Sequence, residues 1–384
     1  MASSRRALLI LMAAQMAGMF RGGLVSPILS LLVRQRGLSL QEVGVYAMCG
    51  TAGWLVFEPI IGAASDRVRK RLLFTVSYVG SSLVYLAYPY ASTLLDFSVL
   101  AFAMSSVASF GSVSTRALVA DLIPPEGRGR TYGRYMAGVG AAQVVAPVIG
   151  GFASEHLGYS VPFLLAAALG AVPLVLVWMM GDVDGPRAAA GPSGGYREAA
   201  TPEVLGIISV RGLYFVNFTF RMSFLPILLH ESPNIRASES QIGGLISVIG
   251  LASAAGHAVV GGISDRLGAG RVAVASCLLI SASYLLYLAA DGVASLYVLG
   301  LAQGALIAAA EVSMMMQLVS VAPAGRSGLA MGLYAEAENV AGIAAGPALG
   351  NAYAAFGAAG LVGVLSASIG ASAALAYALL KKKG

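Results

Sequence analysis

Apolar residues occur in runs long enough to cross a lipid bilayer, separated by short polar segments rich in glycine, proline and charge. A membrane-spanning helix needs roughly 20 mostly apolar residues, and an open strand finds no hydrogen-bond partners in lipid. The pattern therefore predicts an all-α membrane protein with twelve transmembrane helices. The predicted spans are residues 7–33, 42–64, 72–90, 95–122, 135–152, 160–180, 204–229, 241–263, 272–290, 294–320, 327–352 and 356–380.

Three sequence patterns occur twice, in the same order and at a nearly constant distance. Two Ser-Asp-Arg triplets place Asp66 and Asp265 199 positions apart. The second pattern is FRGGLVSPIL, which matches FRMSFLPILL at the same distance. The third is GVGAAQVVAPVIGG, which matches NVAGIAAGPALGN with the two prolines 200 positions apart. A repeat of this length indicates a duplicated structural unit. We expect two pseudo-symmetric six-helix bundles, residues 1–181 and 204–384, joined by a flexible Gly- and Pro-rich linker over residues 182–203 on the cytoplasmic side.

The composition agrees with lipid as the solvent. Hydrophobic residues make up 58% of the chain and charged residues only 11%, whereas soluble domains carry about 25% charged residues. Of the 24 basic residues, 17 lie in one set of loops and span ends and three in the opposite loops. Positive loops stay in the cytoplasm, so we predict a multi-pass protein of the cell membrane with both termini cytoplasmic. This distribution also explains the net charge of +6 without a nucleic-acid partner.

The first apolar run has the appearance of a signal peptide, with Arg5 and Arg6 before a stretch of apolar residues. The run has a counterpart in the second repeat, and its apolar character continues beyond Arg21 to Val33. These two features favour a first transmembrane helix.

Ionisable residues within the spans follow the repeat. The third, sixth, ninth and twelfth spans have none in their interiors, whereas seven others hold Arg21, Glu58, Arg116, Arg211, Arg221, His257, Glu311, Glu336 and Glu338. A charge that faces lipid is costly, so we expect every third helix to face lipid. The remaining helices are expected to enclose a shared hydrophilic chamber at mid-bilayer, an arrangement typical of a transporter.

The segment GAASDRVRKR between the second and third spans resembles the hallmark motif of the major facilitator superfamily, Gly-x-x-x-Asp-Arg followed by basic residues. This resemblance, which covers the whole chain, implies a secondary transporter whose two halves rock about a central site. It also implies a cytoplasmic latch, in which the motif Asp faces the positive end of a helix in the opposite half and Arg67 pairs with Asp121. The implied latch residues are Gly62, Asp66, Arg67, Arg71, Asp121, Asp265 and Arg266. The alternative is a turn that only fixes topology by its charge.

A second family pattern, Gly-x-x-x-Gly-Pro-x-x-Gly-Gly, is matched in part by the fifth and eleventh spans. The pattern is associated with proton-coupled exporters of the family, so the resemblance implies export. Ordinary helix packing through small residues and a proline bend would give the same letters. The matched positions include Pro147, Gly150, Gly346, Pro347 and Gly350.

Polar side chains at helical spacing are candidate contacts for a solute. Tyr214, Asn217 and Arg221 share one face of the seventh span, and Glu311 lies in the middle of the tenth. The same stripe is also compatible with a hydrogen-bond seam between helices. With an arginine in it, we favour the cavity.

Arg21 and Arg221 occupy nearly equivalent places before the repeated prolines. Two guanidinium groups from opposite halves are suited to hold a carboxylate or a phosphate, and some organic-anion members of the resembled family use arginines in these two helices. The competing interpretation is internal neutralisation, in which Arg21 pairs with Glu58, and Arg221 with Glu311 or Glu336.

Five ionisable side chains are candidates for carrying a coupling proton, because intramembrane carboxylates and histidines form proton relays. They are Glu58, Glu311, Glu336, Glu338 and His257. Lysine occurs only at 70 and 381–383, so the chain has no Gly-Lys-Ser/Thr phosphate loop and no ATPase of its own. The scattered histidines and two cysteines indicate no metal centre, no cofactor and no hydrolase.

The leading prediction is a monomeric secondary transporter that moves a small organic solute by alternating access, coupled to protons and directed outward. One rival is an importer or exchanger of organic anions held by Arg21 and Arg221. A more remote rival is a non-transporting membrane sensor, which the lack of a visible output domain disfavours. Two mobile halves with latches also suit alternating access better than a fixed channel.

Overall fold

A computed structural model describes residues 2–64, 68–122, 128–181, 196–323 and 326–381. Every regular element within these ranges is helical, which confirms the predicted fold class. The helices are α1 Ala2–Gln35, α2 Leu40–Ala64, α3 Lys70–Ala87, α4 Leu94–Leu122, α5 Arg128–Leu157, α6 Ser160–Ala168, α7 Ala171–Met179, α8 Tyr196–Ala199, α9 Pro202–Thr219, α10 Leu225–Glu231, α11 Glu239–Leu267, α12 Ala269–Leu288, α13 Val293–Val321 and α14 Ser327–Lys381. A π-helical turn, Phe220–Phe224, joins α9 to α10.

Ten segments of the described chain are long and apolar enough to cross a membrane. One of them, Ser160–Met179, comprises α6 and α7 together, and the last, Leu329–Lys381, holds two helices that meet at Gly357. Gly357 adopts φ 65° and ψ −155°, a backbone conformation that residues with a Cβ avoid. With the 30-residue helix α5 included, the described chain is consistent with the predicted twelve crossings.

The starts of α2 and α11 use the same capping arrangement. Ser39 Oγ accepts from the Glu42 backbone N–H at 3.3 Å, and a Glu42 carboxylate oxygen accepts from the Ser39 N–H at 2.7 Å. Ser238 and Gln241 make the equivalent pair of bonds at 3.4 and 2.9 Å. Each box satisfies backbone donors that a helix start leaves without partners. The two boxes are 199 positions apart, so the duplication extends to the helix caps.

Spatial contacts divide the chain into two compact units. The first unit comprises Met1–Arg36, Cys49–Gly191 and Ser238–Ser247, and the second comprises Gly37–Met48, Pro192–Ala237 and Val248–Gly384. Neither unit is contiguous in sequence, because the start of α2 belongs to the second unit and the start of α11 to the first. Each of these short segments is grouped with the repeat to which it does not belong in sequence.

Each unit has its own apolar core. In the first, side chains from α1, α3, α4 and α7 are almost fully buried, among them Leu11, Phe74, Leu118 and Val177. In the second, Val204 and Leu318 lie beside Tyr334 in a cluster shared by α9, α13 and α14. Within lipid, such helices associate mainly through close packing rather than through removal of apolar surface from water.

Glycines allow the start of α2 to cross α14 at very short range in the second unit. A Cβ on Gly44 would collide with the backbone carbonyl of Gly346, and a Cβ on Gly346 would collide with the carbonyl of Gly44. Gly350 approaches the carbonyl of Leu40 in the same way. The glycines of the second family pattern therefore form a tight helix crossing.

The first unit contains the equivalent crossing between α5 and the start of α11. A Cβ on Gly243 would collide with the carbonyl of Pro147, and one on Gly151 with the carbonyl of Glu239. Gly150 on the same helix approaches the backbone of Leu24 on α1. Small residues at these positions are required because no side chain fits between the two backbones.

Candidate functional site

The second unit contains a cluster of charged side chains centred on Arg211 of α9. Arg211 Nε lies 2.6 Å from a carboxylate oxygen of Glu338, and Arg211 Nη1 lies 3.8 Å from a carboxylate oxygen of Glu311. The rings of Tyr214 and Tyr334 each lie 5.3 Å from the guanidinium carbon. Only 11% of the Arg211 side chain is exposed, so its charge is balanced by these two carboxylates and two ring faces.

Glu311 of α13 also faces a second base, His257 of α11. His257 Nε2 lies 3.6 Å from the Glu311 carboxylate, and His257 Nδ1 lies 2.7 Å from the backbone carbonyl of Ser253. A carbonyl oxygen only accepts hydrogen bonds, so Nδ1 carries a proton. The Nε2 to carboxylate contact is attractive only when a further proton lies on one of those two groups. The geometry therefore defines a proton position between α11 and α13.

Three buried polar atoms near this cluster have no hydrogen-bond partner among the described residues. They are Arg211 Nη1, Tyr214 Oη and Arg221 Nε. All three groups donate hydrogen bonds, and buried polar groups usually have a partner. Arg221 lies in the π-helical turn just before Pro226, and such turns often occur at functional sites. This face of α9 therefore offers donors to a bound acceptor group.

A second layer of polar side chains lies behind the cluster. Asn217 is buried, and its Oδ1 accepts a hydrogen bond from the Tyr284 hydroxyl. Tyr287 donates to Gln303 Oε1 at 3.0 Å. Asn217 was predicted as a solute contact, but its carbonyl oxygen already has a protein partner. Its direct role in binding would require that bond to open.

A cavity of about 240 Å³ lies at one side of this layer in the second unit. Its lining includes Phe224, Ile227, Tyr287 and Tyr353. The volume falls below the roughly 300 Å³ at which ligand pockets usually begin. The mostly apolar cavity adjoins the polar layer at Tyr287 and is too small to form a complete solute site.

In the first unit, Glu58 of α2 pairs with Arg116 of α4. Their nearest atoms are 2.6 Å apart, and Ser112 Oγ lies 3.4 Å from the same carboxylate oxygen. Under internal neutralisation, Glu58 was predicted to pair with Arg21, and the structure replaces that partner with Arg116. The carboxylate is neutralised, but by the arginine on the helix that packs beside it.

Arg21 is held inside the first unit. Its Nε donates to the Ala166 carbonyl at 2.6 Å and its Nη2 donates to Ser82 Oγ at 2.7 Å. The Tyr85 ring lies 5.3 Å from its guanidinium carbon, and only 2% of the residue is exposed. Neither Glu58 nor a free anion is needed to explain this buried arginine, since three protein groups already surround it.

The predicted latch lies partly outside the described residues. Asp66 and Arg67 are not described, and neither is the side chain of Asp121. Gly62 lies in the last turns of α2, and Asp265 and Arg266 are exposed in the last turn of α11. The latch contacts therefore stay a prediction.

Arg71, another predicted latch residue, contacts Trp178 at the end of α7. Its guanidinium carbon lies 3.8 Å from the centre of the Trp178 ring, and its Nη2 donates to the Trp178 carbonyl at 2.9 Å. This arginine therefore joins α3 to α7 within the first unit.

The remaining proton candidate, Glu336, accepts from Asn339 Nδ2 at 3.5 Å. Tyr334, Tyr284 and Gln303, which surround the charged cluster, were not predicted from the sequence. Aromatic and amide side chains in an apolar span give no charge signal, so only the packing reveals them. Within the described ranges, no group of three or more His, Cys, Asp or Glu side chains is arranged to hold a metal ion.

Comparison with known proteins identifies a family over nearly the entire chain. The sequence model of the Major Facilitator Superfamily matches residues 11–213 and again residues 210–383. The two matches correspond to the two repeats. Together they cover far more than half of the chain.

Two curated relatives illustrate the similarity. An uncharacterized MFS-type transporter of Bacillus subtilis (strain 168), YceJ, is 26% identical over 264 residues, which are 68% of this chain and 67% of that protein. The class B tetracycline resistance protein of Escherichia coli is 30% identical over 158 residues, 40% of this chain and 39% of its own length. The chain thus matches only about two fifths of the resistance protein.

Solved structures share the fold at low sequence identity. The crystal structure of the peptide transporter POT in complex with sulfate superposes with a TM-score of 0.79. The superposition covers 98% of this chain and 94% of the transporter, with 14% identity. At that identity the likeness concerns the fold alone.

Proposed function

This chain belongs to the major facilitator superfamily, and from that membership we propose that it exports a small organic solute across the cytoplasmic membrane in exchange for protons. It is a membrane transporter rather than an enzyme. The protein works as a monomer by alternating access, with both termini in the cytoplasm. Tetracycline and similar drug-like solutes are the first compounds to test, because the chain partly matches a tetracycline resistance protein.

The observation that carries the proposal is the position of Glu311 between two bases. One carboxylate faces the permanent cation Arg211 and the titratable side chain of His257. When Glu311 is ionised it attracts Arg211 and a protonated His257, and when Glu311 takes up a proton its ion pair with Arg211 is lost. A proton can therefore change which contacts hold α9, α11 and α13 together. Such a bistable set of contacts is what coupling of a proton to a conformational change requires.

The solute would be bound next to this group. Tyr214 and Arg221 supply buried donors without protein partners among the described residues, and Asn217 lies between them on the same helix. Binding a solute acceptor here would give the donors the partners they lack. Solute and proton would then act on the same helix, α9, which allows each to change the affinity for the other.

The other ionisable candidates take supporting roles in the proposal. Glu338 holds Arg211 in place, and Glu58 with Arg116 forms a separate ion pair in the first unit. Asp66, Arg67, Asp121, Asp265 and Arg266 would form the cytoplasmic latch that the family resemblance implies.

The rival proposal, an importer of organic anions, receives less support. It needs Arg21 to face the solute, yet Arg21 is buried and bonded to Ala166 and Ser82. Releasing it would leave a buried carbonyl and hydroxyl without their donor, which costs free energy.

Transport by inside-out membrane vesicles tests the function. Vesicles containing the protein are energised so that the lumen becomes acidic, and uptake of tetracycline and of a panel of neutral, cationic and anionic solutes is measured. We expect one solute class to accumulate and to be released when an ionophore collapses the proton gradient. Vesicles without the protein serve as the control and should take up no solute. If solute accumulation by the protein persists after the ionophore is added, proton coupling is contradicted.

A further inference from the structure

A basic side chain stacks on an exposed aromatic ring where the start of α3 meets the end of α7 in the first unit. Arg71 lies flat on the Trp178 ring, 3.8 Å from its centre. The indole N–H of Trp178 donates to Thr75 Oγ1 at 3.1 Å, which fixes the orientation of the ring. A guanidinium stacked on a fixed indole keeps its edge pointed in one direction.

Arg71 retains hydrogen-bond donors beyond those the protein uses. A guanidinium carries five N–H groups, and Nη2 donates to the Trp178 carbonyl. Nε of the same group is buried and has no hydrogen-bond partner among the described residues. A planar group with adjacent free donors is suited to two oxygens of one phosphate. Because Nε is enclosed by protein atoms, an anion would approach the guanidinium at its exposed Nη2 end.

The surroundings of Arg71 are positive. Arg69, which precedes α3, is exposed, and Lys70 is the first residue of the helix. The first turn of α3 contains no acidic residue, and no side chain caps it. Cationic side chains and an uncapped helix start both favour an anion.

An apolar groove runs along α7 from the same point. It is lined by Leu174, Val175, Trp178 and Met179. Val175 is 56% exposed and Met179 61% exposed, although both lie in a segment apolar enough to cross a membrane. The groove therefore lies next to the basic cluster, on an exposed apolar surface of α7.

We propose that this place binds an anionic phospholipid. Its phosphate would lie against Arg71, with Arg69 and Lys70 nearby, and one acyl chain would occupy the groove beside Trp178. Both halves of the ligand are needed to explain the site, because a free phosphate would leave the groove uncovered. A zwitterionic lipid would bring a cation beside three basic residues. The site lies within one unit.

Lipid retention by the purified full-length protein tests this proposal. The protein in detergent is titrated with phosphatidylglycerol, phosphatidylcholine or inorganic phosphate, and bound lipid is counted by native mass spectrometry alongside the melting temperature. We expect phosphatidylglycerol to be retained and to raise the melting temperature, with phosphatidylcholine and phosphate having little effect. In Arg71→Gln the affinity for phosphatidylglycerol should fall about fivefold, the contribution of one basic residue near an anionic lipid surface.

Two further variants keep the result interpretable. Arg271→Gln removes an exposed arginine from the first turn of α12 in the second unit, and it should bind phosphatidylglycerol like the unaltered protein. Trp178→Leu keeps an apolar groove but removes the ring that positions Arg71, and it should lose preference for the anionic lipid even if Arg71→Gln fails to fold. The proposal would be overturned if Arg71→Gln and Arg271→Gln bound phosphatidylglycerol equally well. It would also be overturned if the protein retained phosphatidylcholine as well as phosphatidylglycerol, or if phosphate alone gave the full rise in melting temperature.

Discussion

Glu311 and His257 face each other across 3.6 Å, from α13 and α11 respectively. The opposite oxygen of the same carboxylate lies 3.8 Å from Arg211 of α9. One side chain thus holds contacts to two other helices, and both contacts depend on where protons lie on Glu311 and His257. In the proposed function this carboxylate is the group whose protonation changes during transport.

Replacing Glu311 with Gln should uncouple transport from the proton gradient. The amide keeps the shape of the side chain but stays neutral at every pH, so it cannot exchange a proton. We expect Glu311→Gln to retain exchange of labelled for unlabelled solute across the membrane and to lose accumulation driven by a pH gradient. Both are measured in proteoliposomes with the same preparation of protein.

A matched carboxylate outside the cluster serves as the control. Glu203 is exposed in the first turn of α9, and Glu203→Gln should accumulate solute as the unaltered protein does. If Glu311→Gln accumulates solute equally well, Glu311 is not the coupling group.

Removing Arg211 should destabilise the protein far more than removing the exposed Arg271. Arg211→Ala leaves Glu338 and Glu311 without their shared cation, a loss of about 3 kcal/mol for a buried ion pair. Arg271 is exposed in the first turn of α12, so Arg271→Ala should cost less than ~1 kcal/mol. Thermal unfolding in detergent compares the two variants. Equal melting temperatures would contradict the assignment of Arg211 as the buried centre of the cluster.

A methyl group at Gly44 should force α2 away from α14. Its Cβ would meet the backbone carbonyl of Gly346, and overpacking of this kind costs about 1–3 kcal/mol. Gly140 lies in α5, and a methyl carbon added there would have no atom within 4 Å, so Gly140→Ala should be neutral or stabilising by up to ~1 kcal/mol. Melting temperatures of the two variants check the difference. A Gly44→Ala protein as stable as Gly140→Ala would contradict the tight crossing.

Arg221 should affect binding of the solute more than its movement. Arg221→Gln removes a cation and part of the donor set while keeping a shorter polar side chain. A solute with a carbonyl or carboxylate acceptor should then bind about tenfold more weakly, equivalent to ~1.4 kcal/mol. Equilibrium binding to purified protein measures this, with Arg271→Gln as the exposed control. Unchanged binding in Arg221→Gln would move the solute site away from this face of α9.

The duplication and the helices could be predicted because they depend on local sequence. Apolar run length sets a membrane span. The capping boxes at Ser39 and Ser238 were not predicted, although each also depends on side chains three residues apart. The glycines near Pro147 and Pro347 indicated close packing, and the structure places Gly150 and Gly346 at backbone contacts. These features need no knowledge of which helices are neighbours.

The pairings could not be predicted because helical periodicity gives the face of a residue and not the helix opposite. Internal neutralisation would pair Glu58 with Arg21, but α4 brings Arg116 to Glu58 instead. Arg21 is satisfied by a backbone carbonyl of α6, and carbonyl positions carry no sequence signal. The grouping of Gly37–Met48 with the second unit likewise depends on tertiary packing between segments far apart in the chain.

Proton movement driven by a solute gradient tests the central claim most directly. Proteoliposomes are loaded with the transported solute and a pH-sensitive dye, then diluted into solute-free buffer of the same pH. The account predicts that solute leaving through the unaltered protein acidifies the lumen, and that Glu311→Gln gives no acidification while it still exchanges solute. The account would be contradicted if solute left through the unaltered protein while the lumenal pH stayed constant. It would also be contradicted if Glu311→Gln acidified the lumen as much as the unaltered protein does.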